Sequence, residues 1–519
     1  MSDRLDSWKD IAGYLGREVR TVQRWESERG LPVHRLPGGD KPRVYALKSE
    51  LGSWLQTSPP EPAAPPSVAV LPFSNLAGDK ESEYFSDGLA DDIINALTRI
   101  RGLRVTARTS SFAFRGQEKD VRRIGEELGV ASLLEGSVRR AGNRVRVSAQ
   151  LVSASDGFHI WSDTYDRSLT DIFAIQDEIA HSIAAALRVR LTPEPVVPQY
   201  TDDPAVYDLW LKGRCAAADW TPRGLAQAQE CFTAAMARDP KFPLPYVALA
   251  EMMLEGAWFG FVEPLRVAPR AKGLVLQALA LDAGLADGHA VLGSIESSFE
   301  YQWEAAERSF GRALEIAPGS PSVLGRHGGY FLAPQRRFPQ ALAEMRGAVS
   351  LDPLSPTLHT LLGLVLLLAR DYPGAERHCR KAAQLVSSHW AARWFLGTAL
   401  AAQGRGDEAA AEFRFGYELL RSVPLTIAAM CVAYGLLGRT EEARQSFDEF
   451  EVMSKAGPEM PFAAAWAYLG VGDDRVFSAL DKAIDARVPG VTYLPSLFIY
   501  DRLRPDPRFG KLLEKMRLD

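Results

Sequence analysis

The stretch Trp8–Gly30, WKDIAGYLGREVRTVQRWESERG, decides how the chain begins. Trp8, Ile11, Ala12 and Leu15 recur at helical spacing and share one face. Gly16 then stops the helix, and Val19, Val22 and Trp25 fall on a common side of a second one. Two short helices around a tight turn form the arrangement whose second helix enters the major groove of DNA. Val22 and Trp25 would hold that helix against the first. Arg17, Arg20, Thr21, Gln23 and Arg24 would then be free for phosphates and base edges, which their side chains suit.

Moving outward, Leu31–Leu36 and Arg43–Leu47 read as strands around the turn-rich PGGDKP at 37–42. This hairpin is a candidate wing, offering His34, Arg35, Lys41 and Arg43 to phosphates, or else a solvated basic hairpin. A helix over Ser49–Gln56 closes the unit with Leu51, Trp54 and Leu55. The words WKDIAGYLG, RTVQRWE, GLPVHR, RVYA and ELGSWL resemble the winged helix-turn-helix of MerR/excisionase-type regulators over residues 1–56. The resemblance implies double-stranded DNA as a partner. The rival is a helical module that docks protein instead.

Net charge over the 519 residues is −5, so any attraction to nucleic acid must be local. Residues 1–58 hold ten Lys or Arg against eight Asp or Glu, only mildly basic. Binding by one such unit is weak, which points to help from a homodimer or a partner. Cys215, Cys231, Cys379 and Cys431 lie far apart without a CxxC pair, so buried reduced thiols are expected, not disulfides or a metal site. No apolar signal region opens the sequence and no apolar run could span a bilayer, so a soluble cytoplasmic protein with no membrane contact is expected.

TSPPEPAAPPS at 57–67 is a Pro-rich linker, with its boundary at residue 66. Residues 67–192 then change character. Ser67–Phe73 is a short apolar strand of the buried type, Glu83–Ile100 a helix, Leu103–Ala107 a strand and Val121–Leu128 a helix. Ser132–Arg140, Arg144–Ser153 and Phe158–Arg167 read as strands, the first two joined at Ala141-Gly142-Asn143. A helix over Ile172–Leu191 completes an α/β mixed-sheet domain. The runs VAVLPFSNLAGDKESEYFSDGLADDIINALTRI and VRVSAQLVSASDGFHIWSDTYDRSLTDIFAIQDEIA resemble the TolB amino-terminal/FlgO-like domain, which implies an accessory module without catalytic residues. Asp87, Asp91 and Asp92 are expected to cap or be solvated, the latter two diverging from their helix. His159 and Asp163 are expected on a sheet surface or in the core.

Residues 203–519 are helical and periodic. Ends at Pro240, Ala283, Pro318, Pro353, Ser387 and Arg421 lie 43, 35, 35, 34 and 34 residues apart, the first gap holding an insertion. Triads recur between them: Ala228/Phe232/Ala235, Ala306/Phe310/Ala313, Ala341/Met345/Ala348, Ala375/Cys379/Ala382 and Ala409/Phe413. Leu-Gly pairs recur at 292–293, 362–363 and 396–397. A period of about 34 with small residues at helix crossings is that of the tetratricopeptide repeat. The all-α TPR solenoid so predicted offers a groove to a protein or peptide partner. Arg326, His327, Tyr330, Arg393 and Trp394 fall on first helices, with Arg326, Tyr330 and Arg393 the partner-binding candidates. The terminal SLFIYDRLRPDPRFGKLLEKMRLD resembles the polar cap that ends such stacks.

Neither GxxxxGK[ST], GxSxG nor HExxH occurs, and no metal, cofactor or catalytic residue is expected. The sequence therefore reads as a non-enzyme: a multidomain DNA-binding transcriptional regulator, or a protein-interaction scaffold.

Overall fold

The computed structural model describes residues 3–16, 19, 22–23, 25–26, 30–36, 43–57, 65–76, 83–100, 102–117, 120–189, 200–218, 222–258, 262–419, 423–456 and 460–519. It divides into two compact units, residues 1–65 and 66–519.

In the small unit Ser7 caps the helix Trp8–Leu15 by accepting from the Asp10 amide, and Gly16 ends it at φ 64°. That backbone angle is one only glycine adopts freely. Val19, Val22, Gln23, Trp25 and Glu26 are helical. Val22 and Trp25 are buried as expected, with the Trp25 ring 5.5 Å from Trp54, but Val19 lies exposed. Strands β2 (His34–Leu36) and β3 (Arg43–Leu47) form the expected hairpin. A strand that sequence reasoning missed, β1 (Arg4–Leu5), pairs with the other edge of β3. The closing helix spans Lys48–Thr57, with Leu51 and Trp54 inside and Leu55 exposed.

The large unit opens with a mixed sheet. Its strands are β4 (Ser67–Val70), β5 (Ser74–Asn75), β6 (Arg104–Val105), β7 (Ser132–Ala141), β8 (Arg144–Ser153) and β9 (His159–Ser168). The order is β6-β4-β7-β8-β9, with β5 also on β7. β4 runs parallel to β6 and β7, whereas β7, β8 and β9 are antiparallel. β4 is buried throughout because helices cover both faces there. Val68 and Val70 face the helices Glu83–Thr98 and Ile172–Ala186, while Ala69 and Leu71 face Val121–Leu128. β8 alternates: Val145, Val147, Ala149 and Leu151 are buried, while Arg144 and Arg146 reach across to Asp166 in solvent. The helix expected to run to Leu191 ends at Ala186, where Arg188 takes φ 55°.

Paired helices follow from Pro204 onward. Every alanine, phenylalanine, methionine and cysteine of the four triads and the Ala409/Phe413 pair is at most 3% exposed. The partner glycines explain why. A Cβ on Gly293 would come 2.7 Å from the Phe310 ring, one on Gly363 2.3 Å from Cys379 Sγ, and one on Gly397 2.6 Å from Phe413. Each glycine leaves room for the bulky residue of the facing helix. Cys379 and Cys431 are buried, but Cys215 and Cys231 are half-buried, so the expectation of four buried thiols is half right. No helix among the described residues is long and apolar enough to cross a membrane.

Two features depart from an open solenoid. The core of the sheet domain runs on into the first repeat, where Val206, Tyr207, Trp210 and Phe232 join it. The C-terminal segment, expected as a polar outer cap, instead turns inward, because Tyr493, Leu494, Ile499 and Tyr500 are buried side chains that need cover. Tyr493 donates to the carbonyl of Gly329, and Trp303 donates to that of Met516 at 2.8 Å. Tyr301 donates to the carbonyl of Ile484.

Candidate functional site

In the small unit Gln23 is exposed on the helical face opposite Val22 and Trp25. Arg17, Arg20, Thr21, Arg24 and Lys41 lie outside the described residues, as does the side chain of Arg43, whose backbone is in β3. Arg35 is exposed but engaged: its guanidinium grips the Glu26 carboxylate through both amino groups, at 2.5 and 3.0 Å. That contact raises the Arg35 pKa and pins the hairpin to the second helix. His34 reaches Glu50 at 2.6 Å and stacks on Tyr45. Arg4 lies over the other ring partner, 4.2 Å from the Tyr45 centroid.

In the large unit a cavity of about 680 Å³ lies between the inner face of the solenoid and the sheet domain. Two of the three groove candidates sit in it. Arg326 pairs with Glu251, and burial, which disfavours its charge, is outweighed by Glu251, Tyr330, Glu255 and Asp287, so its pKa rises. Tyr330 stacks on Trp258 with centroids 4.7 Å apart. The third, Arg393, is committed elsewhere, bonded to Glu412 at 2.7 Å and lying over Phe415. Of the neighbours, His327 bonds Glu344 and Trp394 stacks on Trp466, both in the core.

The aspartates of the Glu83–Thr98 helix are neither capping nor solvated. Asp87 and Asp91 are buried and Asp92 is nearly so. Asp87 pairs with Arg115, Asp91 with Arg108 and Arg214, and Asp92 with Arg214. One guanidinium bridges the two adjacent carboxylates, so they do not diverge as the helical spacing suggested. Burial lifts Asp92 to about 6 against the hydrogen bonds of Tyr207 and Gln176, and lowers Arg214 to about 10. His159 and Asp163 are exposed on the sheet surface. The cavity acids Glu251, Glu255 and Asp287 were missed. Their one sequence signal was Glu251 and Glu255 a helical turn apart in an otherwise apolar helix.

Residues 64–182 match the family described as HilA/YgeH-like transcriptional regulator, second domain. This is the segment whose words resemble the TolB amino-terminal domain. Residues 332–388 match a tetratricopeptide repeat family. A putative adenylate cyclase 3 of Rhizobium meliloti strain 1021 is 37% identical over 287 residues, 54% of this chain and 46% of its own. The transcriptional regulator HilA of Salmonella typhimurium is 24% identical over 303 residues, 57% of this chain and 53% of its own. Among solved structures, PilF of Pseudomonas aeruginosa aligns over 43% of this chain and 95% of its own, at 19% identity and a TM-score of 0.33. The expectation of a non-enzyme is corrected by the first of these relatives, which carries an enzyme's name at 37% identity. The chain spans about half the length of the curated relatives it matches, and the segment similar to a regulator family's second domain precedes the tetratricopeptide match.

Proposed function

We propose that the chain is a transcriptional regulator whose N-terminal unit, residues 1–56, is a winged helix-turn-helix that contacts duplex DNA. The observation that carries this reading is the match of residues 64–182 to the second domain of a regulator family, directly after a unit of short helices and a basic hairpin. In this reading Arg20, Thr21, Gln23 and Arg24 meet the major groove while Arg17, His34, Arg35, Lys41 and Arg43 hold phosphates. The exposure of Gln23 beside buried Val22 and Trp25 supports that orientation. Arg35 must exchange Glu26 for a phosphate, a swap between two anions that bidentate guanidinium chemistry permits. Residues 57–66 serve as the linker, 67–192 as the accessory α/β domain, and 203–519 as the repeat domain that engages a protein partner. DNA binding places the protein in the cytoplasm.

The test is a genome-wide pull-down of DNA by the whole chain, with the Arg20→Ala/Arg24→Ala double variant as control. Discrete sites lost in the variant support the regulator. The same empty profile from both proteins, at low salt, transfers the N-terminal unit to protein docking.

A further inference from the structure

We propose that the cavity between the inner face of the solenoid and the sheet domain binds a small organic cation, a primary ammonium or guanidinium carried on an apolar or aromatic body. The proposal stands independently of whether the N-terminal unit binds DNA.

Size is the first argument. The sheet domain docks onto the repeats through Ser110 and Asp352, and the C-terminal segment fills the inner side near Gly329. What is left, about 680 Å³, is the size of a small-molecule site.

Charge is the second. The wall carries six carboxylates against four guanidiniums. Asp91 and Asp92 are met by Arg108 and Arg214, Asp352 by Ser110, and Glu251 by Arg326. Glu255 and Asp287 have no hydrogen-bond or ion-pair partner among the described residues, and both face the Glu251–Arg326 pair. Glu251, Glu255 and Asp287 therefore crowd around Arg326, with Arg214 acting on Asp287 and Glu251 and Arg99 on Asp287. Burial, and after it the charge of Glu251, raise Glu255 to about 8, so at neutral pH it stands protonated beside Glu251. Asp287, an exposed residue, stands at the open side of the cavity.

The third argument is independent of the acids. Gln176 Oε1 and Trp210 Nε1, on side chains 0% and 7% exposed, have no hydrogen-bond partner, and both residues belong to the cavity wall. Buried polar atoms left unpaired are costly and mark places where a ligand atom completes the bonding. Once the side chains over them shift, an N–H donor would complete the Gln176 oxygen, and an acceptor such as the phenol oxygen of tyramine would complete the Trp210 N–H. Tyr330, stacked on Trp258, supplies aromatic wall beside Glu251 and Glu255. Among the described residues no three acidic, histidine or cysteine side chains are grouped closely enough to hold a metal ion, so an organic cation suits the site better.

Binding should expel the proton that Glu255 carries below pH 8. The groups facing Glu255 are Glu251 on its own helix and Arg326 and Tyr330 on the facing repeat, with Tyr493 beyond Tyr330; Asp287, two helices on, faces Glu251, Arg326 and Arg214. Titration calorimetry of the whole chain with tyramine and agmatine, and 4-hydroxyphenylacetate as the anionic control, tests the site. At least one amine is expected to bind with proton release at pH 7, read from buffers of different ionisation enthalpy, and the anion is not. Glu255→Gln removes the group that ionises on binding and Asp287→Asn removes a carboxylate of the wall, so each should weaken amine binding ten-fold or more, and above pH 8, where Glu255 ionises, Glu255→Gln should also raise the melting temperature of the free protein. The proposal is overturned if neither amine binds, if the anion binds as well as the amines, or if both variants bind amine like the parent. Should a variant fail to fold, proton uptake or release by the parent on adding amine, followed from pH 6 to 9, decides alone: no change in bound protons overturns it.

Discussion

Ser110 and Asp352 stand 242 positions apart in the chain, and one Asp352 carboxylate oxygen accepts both the backbone N–H of Ser110, at 2.9 Å, and its hydroxyl, at 2.5 Å. The hydroxyl oxygen accepts in turn from the Leu354 amide at 2.7 Å. The amide of Ala107 donates to the Leu351 carbonyl beside them. A loop of the sheet domain is thereby fastened to the turn that ends a repeat, and Leu354 packs against the apolar cluster of Ala69, Leu133 and Ile124. The sheet domain and the repeats are one folded body, which fixes the cavity between them.

Asp352→Ala leaves the amide and hydroxyl of a buried Ser110 without an acceptor. Leaving a buried donor unpaired costs roughly 1–3 kcal/mol. The urea midpoint should fall accordingly, and amide exchange should quicken at Ser110 and Leu354 before the rest of the repeats. Unchanged protection at those two amides would show that the fastening carries no energy.

The glycines divide into two grades. At Gly293 an added Cβ meets the ring of Phe310, a side chain that can turn. At Gly435 it meets the Gly470 carbonyl oxygen at 2.2 Å, and at Gly470 the Cys431 carbonyl carbon at 2.2 Å, so backbone faces backbone. Overpacking typically costs about 1–3 kcal/mol where side chains can yield. Gly293→Ala should fall in that range, while Gly435→Ala and Gly470→Ala should exceed it. Thermal melts of the three variants check the order, and an equal loss in all three contradicts it.

What the sequence showed and what it hid follow from the range of the contacts. The Ala and Phe triads, the Leu-Gly pairs and the Gly142 hairpin were legible because neighbours along the chain make those contacts. The two-residue β1, the Ser110–Asp352 fastening and the inward turn of the C-terminus join residues far apart, with no period to announce them. Arg326 and Tyr330, with Arg393, were partner-binding candidates from their place on first helices, but Glu251, 75 positions from Arg326, was not. The triad of aspartates was misjudged for the same reason: Arg214, which neutralises two of them, is over 120 positions away.

The C-terminal anchor gives a further expectation. Trp303→Phe keeps the ring packed near Phe331 but deletes the N–H that reaches the Met516 carbonyl. One net hydrogen bond is worth about 1 kcal/mol. Removing Pro507–Asp519 takes away Phe509, Leu512 and Met516, all buried, and should cost several times more. Denaturant titration separates the two; a truncated chain as stable as the parent would mean that the final helix merely lies on the surface.

Acid should loosen the repeats at one identifiable place. His359 Nδ1 lies 2.9 Å from His378 Nδ1, the two rings stacked, with the other His359 nitrogen on the Pro353 carbonyl. Burial lowers the pKa of both, and for His378 the neighbouring charges of His359, Arg377 and Arg346 add to burial and bring it to about 4. The unfolded chain takes up these protons near pH 6.5 and the folded one only near pH 4 for His378, so the unfolded state binds more protons between those values. Stability from this pair is therefore complete above pH 6.5 and is lost as pH falls toward 4. His378→Gln should flatten that acid limb while leaving the melting temperature at pH 8 within a few degrees. Glu255 acts with the opposite sign: its folded pKa near 8 lies above the ordinary 4.5, so its ionisation lowers stability as pH rises from 4.5 through 8. Melting curves of the parent, His378→Gln and Glu255→Gln from pH 4 to 9 should show the first variant losing the acid slope and the second losing the alkaline one. An unchanged profile in either variant assigns that slope to other groups.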